Sequence, residues 1–528
     1  RAQPGKEDEG RWMYALVAHD APELLARYNA RDAVGTARLD PYLEARFEEE
    51  PPALKRMRDV LVDRAQAAIS RVQHWGIAAS RSAILAFDAF LLAQLAPVES
   101  RLAAYPVENW NSPPQVAKLL FEDLKLGPQK RTGGGALSTD DGVLEALKGA
   151  HPVVEDLIAY RQVVKMRSNY AAGEAGQSGL LSYIRDDGRI HGTIFLDGAQ
   201  TGRTSVVDAP LQGLPWAKFP VEGKLCRDIF VAEPGKLLIS CDYSQIELRW
   251  AAMLSRDPVM QSIFSEGVDF HLRTAQLIAP IVWGIKAEDV TDEHRAHAKN
   301  FNFGLLYGMG DKALACRMFG VQEPTRKQVA EAAKIRAAIM GAFVGLARWI
   351  AETLREGRRT GEMWTEFEGQ PGRRRTLWDL ADEDDHRRSR AENGLINGPC
   401  QGGASDDLIE SLTRMVEWIL EEGIESRVKV VLPIHDQLLI EVARSYVDEA
   451  LLMTVATMED RPGAVRRKVD AEIGPAWGSL RKLKRGPDGW RCFAFEHVVD
   501  GVKKSVWSPA LPGALGAYEA ALALEAKG

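Results

Sequence analysis

Asp242 and Asp436 each stand at the end of an apolar run of the kind that forms a buried strand, in "KLLISCDYSQIELR" (236–249) and "RVKVVLPIHDQ" (427–437). An ionised carboxylate in such a place is costly unless something positive meets it. Taken alone, either aspartate is explained by a solvated strand end before a helix or turn. Together, on neighbouring strands, the two can hold a pair of Mg²⁺ ions about 3.5–4 Å apart, which activates an attacking hydroxyl and stabilises a leaving pyrophosphate. Between them lies "HRAHAKNFNFGLLYGMG" (294–310). There Arg295, Lys299, Phe303 and Tyr307 recur every four residues. Each step advances about 40° around a helix, so the four make one slanting stripe, cationic at one end and aromatic at the other. An amphipathic helix with both rings in a core would have the same spacing. Beside two metal-binding aspartates, the stripe reads instead as a grip on a triphosphate, with a base or sugar against the rings. Phosphoryl transfer needs little beyond such positioning and charge neutralisation.

Three of these segments, "DYSQIELR" (242–249), "R-x3-K-x3-F-x3-Y-G" (295–308) and "HDQ" (435–437), resemble in order and spacing the polymerase motifs of family A DNA polymerases, the family of bacterial DNA polymerase I and its phage relatives. "TGRTS" (201–205), "LQGLP" (211–215), "NGPCQGG" (397–403) and the thumb-like "LLFEDLKLGPQKRTGGGALST" (119–139) add to the likeness, which covers about residues 54 to 480. The resemblance implies that Asp242 and Asp436 bind two Mg²⁺ ions, for which Mn²⁺ can substitute, with the backbone carbonyl of Tyr243 as a further ligand. Glu247 would sit beneath the incoming sugar and exclude a ribose 2′-hydroxyl, which also argues against a single-subunit RNA polymerase. Arg295, Lys299 and His271 would contact the triphosphate, and Lys299 would serve as general acid to pyrophosphate. Phe303 would pack on the sugar, in the manner of members that discriminate against dideoxynucleotides, and Tyr307 would stack near the templating position. His435 would approach the primer terminus, while Arg203, Asn397 and Gln401 would touch the minor-groove side of the newest pairs. Contacts there check pair shape more than sequence.

Some residues depart from the pattern. Gln437 stands where the family usually has Glu, which removes a negative charge beside a metal-binding aspartate without removing either aspartate. Asn393 stands where an arginine is common, four residues before Asn397. "YNARDAVGTARL" resembles the last motif of a 3′–5′ exonuclease through Tyr28 and Asp32, but no Asp-x-Glu on a strand precedes it. That chemistry needs four carboxylates around two metals, so the given chain is expected not to proofread.

These residues must be positioned by a large, multi-part protein. The chain has 528 residues, more than one core usually serves. The expected fold is α+β, a right hand with an antiparallel-sheet palm, helical fingers and a helical thumb. The expected division is an exonuclease-like remnant over 1–50, thumb 51–165, first palm part 166–250, fingers 251–392, second palm part 393–482 and an extension 483–528. "GWRCFAFEHVVDGVKKSVW" (489–507) predicts a small hairpin, followed by an alanine-rich helix. Net charge is −7, which does not exclude a DNA-binding face because basic residues cluster locally, as at Arg373–Arg375. Five scattered cysteines without Cys-x-x-Cys disfavour a zinc site or disulfide framework and fit a reducing cytosol. No apolar run is judged long enough to span a membrane. The expected partners are primer–template DNA and dNTPs, with replication accessory proteins admitted, in a monomer working in the bacterial cytosol or nucleoid, or in a phage-infected cell. A silent polymerase-like scaffold would not need Asp242, Asp436, Arg295 and Lys299 together, and a nuclease would need a fuller carboxylate set.

Overall fold

The computed structural model describes residues 34, 39, 41–127, 130–132, 134–173, 179–215, 220–306, 308–321, 323–499 and 502–526. Tyr28, Asp32 and Tyr307 lie outside these residues.

The centre is a seven-stranded antiparallel sheet. In chain order its strands are β1 (Lys236–Tyr243), β2 (Val428–Ile434), β3 (Gln437–Ala443), β4 (Val469–Gly474), β5 (Arg481–Gly486), β6 (Gly489–Val499) and β7 (Val502–Trp507). Their spatial order is β7-β6-β5-β4-β1-β3-β2, so the two aspartate-bearing segments are neighbours, as expected. The apolar run of β1 is continuous because its alternating side chains enter two cores. Leu237, Ile239, Cys241 and Tyr243 join one cluster, and Leu238 joins the other. β3 divides in the same way, with Leu438, Ile440 and Val442 on one side and Leu439 on the other. Period-2 geometry makes this division automatic.

The helices that bear on the site are α1 (Arg81–Leu102), α2 (Pro152–Tyr170), α3 (Ile246–Ser255), α4 (Phe270–Val282), α5 (Asp292–Leu306), α6 (Asp385–Glu421) and α7 (Ala514–Glu525). α1 is long and apolar enough to cross a membrane by length and composition, which corrects the sequence reading. Its Ile84, Phe87, Leu91 and Leu95 are buried inside the protein instead, and its Asp88 pairs with Arg167 of α2 at 2.9 Å. The sequence "LLSYIRDDGRIHGTIF" (180–195) reads as two strands around Asp187–Gly188, and the structure differs. It holds a 3-10 turn (Leu180–Tyr183) and two short strands, Arg189–Ile190 and Thr193–Phe195, which pair with Ile77–Ala78 and Ser205–Val207 respectively.

The boundary expected at 392/393 falls inside the 37-residue α6, and the one at 482/483 falls inside β5. Neither element breaks there, because buried positions continue along α6 from Ala391 to Ile419 and because β5 pairs with both β4 and β6. The expected C-terminal hairpin and helix are present as β6, β7 and α7, with the hairpin joined edge-on to the main sheet. A further hairpin, Glu362–Phe367 with Gln370–Thr376, was not anticipated from the sequence.

Candidate active site

Asp242 is the penultimate residue of β1, and Asp436 lies in the two-residue turn between β2 and β3. His435, the other turn residue, has φ +55°, a left-handed conformation that histidine adopts more readily than most residues. The turn is tied to β1 where the Tyr243 amide donates to the Asp436 carbonyl at 3.0 Å. The two carboxyl groups approach closely enough to hydrogen-bond to one another when one is protonated. After Tyr243 the chain makes a sharp departure through Gln245 (φ 55°, ψ 42°) into α3, whose first turn carries Glu247.

Asp242 is solvent-exposed and Asp436 half-buried, so the end of the apolar run is less buried than the sequence suggested. Surrounding protein still displaces much of the Asp242 carboxyl hydration. That desolvation is the largest influence raising the Asp242 pKa, followed by Asp436, Asp470 and Glu472, all acidic. Asp436 is likewise raised by desolvation, with Arg203 as the largest opposing influence. Asp470 and Glu472 sit on β4 directly opposite Asp242 and Ser240. The sequence reading missed both, although the alternating acids of "VDAEIG" (469–474) were a visible signal for one acidic strand face.

This donor set suits a hard divalent cation, because two mutually repelling carboxylates are already gathered on a hydrogen-bonded backbone. Among the described residues no group of three or more His, Cys, Asp or Glu is disposed to hold a metal ion by itself. Magnesium commonly accepts one or two carboxylates and fills the remaining positions with water and substrate oxygens.

A second cluster forms where α4 meets α5. Arg295 Nη2 donates to Asp269 Oδ2 at 2.6 Å, and Asp269 also caps α4 by accepting from the Leu272 amide. Lys299 is exposed one turn further along α5. His271 is 3% exposed, and its Nδ1 accepts from Asn302 Nδ2 at 3.1 Å. Burial pushes its pKa down to about 4, with Lys299 and Arg295 adding to the effect, so the imidazole is neutral at physiological pH. A cleft of about 530 Å³ is lined by Ser244 and Gln245, next to the aspartate strand, and by Arg249, Asp269, Arg467 and Lys468 among others. Arg249 donates to the Ser244 and Arg466 carbonyls; burial lowers its pKa to about 10, which leaves it charged.

The structure groups the remaining site residues differently. Arg203 Nη2 donates to Glu247 Oε1 at 2.6 Å, and this carboxylate is on a residue only 7% exposed. Asn397 and Asn393 line a second cleft of about 530 Å³ with Gln200, Thr201, Arg375 and Arg390. The Asn397 Oδ1 is buried without a hydrogen-bond partner among the described residues, and Gln401, one turn along α6, is buried. Asn393 packs on Gly308, where an added Cβ would come within 2.4 Å of its Oδ1. Gln437 Nε2 donates to Ser240 Oγ on β1.

Comparison with known proteins agrees with this geometry. The model of DNA polymerase family A matches residues 86–479. DNA polymerase I of Lactococcus lactis subsp. lactis is 37% identical over 371 residues, 70% of this chain and 39% of that protein. DNA polymerase I of Chloroflexus aurantiacus is 31% identical over 479 residues, 88% of this chain and 47% of that protein. The chain therefore spans less than half the length of these relatives. A structure of the POL domain of Pol1 from M. smegmatis, in complex with DNA primer-template and dNTP, is 28% identical and superposes with a TM-score of 0.69, covering 80% of this chain and 70% of that one. With the antiparallel sheet and its aspartates in the expected places, the fold is the α+β polymerase fold, and the chain belongs to DNA polymerase family A.

Proposed function

We propose that the chain extends a DNA primer on a DNA template from dNTPs, releasing pyrophosphate by two-metal phosphoryl transfer. The observation that carries this reading is the meeting of Asp242 and Asp436 on hydrogen-bonded neighbouring segments, with acidic residues around them and a cation-lined cleft alongside. Asp242, Asp436 and the Tyr243 carbonyl would hold the metals. Two Mg²⁺ ions bound there would activate the primer hydroxyl and offset charge on the departing pyrophosphate.

The chain's own residues do the positioning. Arg295 and Lys299 take the triphosphate, with Arg295 exchanging Asp269 for phosphate oxygens. Lys299 donates a proton to the leaving group. His271, neutral, offers a hydrogen bond rather than a charge. Glu247, fixed by Arg203, closes the space beneath the sugar, while Phe303 packs on that sugar and Tyr307 stacks at the templating position. Asn397, Gln401 and His435 contact the primer–template. We assign the thumb, palm and fingers as 51–165, 166–250 with 393–482, and 251–392.

Primer extension with Mg²⁺ and dNTPs, beside Asp242→Asn and a lane without dNTPs, tests the reading. Template-directed extension is expected, with a loss of at least about a thousandfold in the variant, equivalent to about 4 kcal/mol. DNA binding without extension would make the protein a scaffold, and primer shortening without dNTPs would make it a nuclease.

A further inference from the structure

The family match ends at residue 479, but the sheet carries on through β5, β6 and β7. The faces of these added strands are unequal. Leu483, Trp490, Cys492 and Ala494 are buried with Ala514, Ala517, Tyr518 and Ala521 of α7, so that helix covers one face.

The opposite face follows from register. Ser240 stands opposite Glu472, and Glu472 stands opposite Lys482, so Lys482 shares the sheet face of Ser240 and Asp242. Lys484 is two residues further along β5 and faces the same way, as does Arg491, its partner on β6. All three are exposed. Among the described residues, no carboxylate lies within 4 Å of any of their charged nitrogens. Lys484 Nζ lies 4.2 Å from the ring centroid of half-buried Trp507, whose other neighbour is Phe493 at 5.6 Å. Three cations and an aromatic platform therefore continue the catalytic face sideways. At about 4.8 Å between strands, Lys484 is about 10 Å from β1 and Arg491 about 14 Å. Phosphates on one DNA strand recur about every 3.4 Å along the helix axis. The track thus spans about four nucleotides from the reacting end.

We propose that β5–β7 form a DNA-binding extension of the palm, in which Lys482, Lys484 and Arg491 take backbone phosphates of the primer–template whose end is held at Asp242. The proposal rests on the DNA-synthesis reading above. Continuity with the aspartate face and three exposed cations, of which Lys482 faces a carboxylate (Glu472) across the strand pair, favour a phosphate backbone over any other occupant.

The test is anisotropy of a labelled primer–template without dNTPs, from 50 to 200 mM salt, for the wild type and for Lys482→Ala/Lys484→Ala/Arg491→Ala. Each phosphate contact contributes about 0.9 to the slope of log affinity against log salt. The slope is expected to fall by about two to three, and affinity at the lowest salt to fall at least tenfold. The charge reversal Lys484→Glu/Arg491→Glu is expected to weaken binding further. Thermal midpoints of both variants separate lost contacts from lost fold. Unchanged affinity and slope in both variants, with tight binding by the wild type, would overturn the proposal and leave the polymerase reading standing. No binding by the wild type would overturn both.

Discussion

Arg203 reaches across from the 201–205 segment to hold Glu247, its Nη2 2.6 Å from the carboxylate Oε1. The pair fixes a buried carboxylate at the base of the proposed sugar site, so under the proposed function rejection of a 2′-hydroxyl would depend on both residues. Glu247→Ala is expected to raise the efficiency of ribonucleotide insertion relative to deoxyribonucleotide by about a hundredfold. Arg203→Ala should have a smaller effect of the same sign and cost about 1–3 kcal/mol of stability, because it removes a charge-assisted hydrogen bond to a buried carboxylate. Competing single-nucleotide insertion and urea unfolding measure the two effects. Equal ribonucleotide discrimination in Glu247→Ala and wild type would remove Glu247 from the sugar site.

Gln437 contributes a donor to Ser240 without adding charge beside Asp242, whose close influences are already acidic. Gln437→Glu adds a negative charge there. It is expected to lower the Mg²⁺ concentration for half-maximal extension several-fold and to lower stability without metal by about 0.5–1 kcal/mol. A Mg²⁺ titration of primer extension, paired with unfolding in chelator, checks both signs. A higher Mg²⁺ requirement in the variant would mean that the Ser240 contact matters more than the local field.

The catalytic strands were legible because their signal is local. An apolar run, a carboxylate and a following helix all lie within β1 and the start of α3. The electrostatic partners were not legible, because sheet register decides them. Only pairing places Asp470 beside Asp242, and only the path of 201–205 brings Arg203 to Glu247. The α5 cations were read as a grip on a triphosphate, but the pairing of Arg295 with Asp269, a helix cap whose second role has no sequence signature, was not legible. The C-terminal hairpin was legible as a hairpin in "GWRCFAFEHVVDGVKKSVW" (489–507), but nothing in its composition said that it would join the aspartate-bearing sheet.

Phe303 lies on α5, one turn beyond Lys299. If its ring packs on the incoming sugar, a para hydroxyl would reach the region left vacant when the 3′-hydroxyl is missing. Phe303→Tyr is therefore expected to improve use of dideoxynucleotides against dNTPs by at least about tenfold. Competing ddNTP/dNTP extension reads this ratio directly. An unchanged ratio would move Phe303 away from the sugar.

His271 gives the site a pH dependence whose sign follows from its hydrogen bond. Its Nδ1 accepts from Asn302, and protonation would replace the acceptor with a second donor in a buried position. Burial and the nearby Lys299 and Arg295 oppose that charge as well, which is why the pKa falls from 6.5 to about 4. Below pH 6.5 the unfolded chain takes up a proton that the folded chain refuses. Stability from this residue is therefore complete above about pH 6.5 and declines as pH falls toward 4, by at most about 3 kcal/mol. In His271→Gln the side-chain carbonyl can still accept from Asn302 but cannot titrate. The variant should lose about 2 kcal/mol less stability than wild type between pH 7 and pH 4.5, as read from urea unfolding at the two pH values. Equal losses would mean that the imidazole is already protonated in the folded protein, and its role at the triphosphate would then be that of a cation.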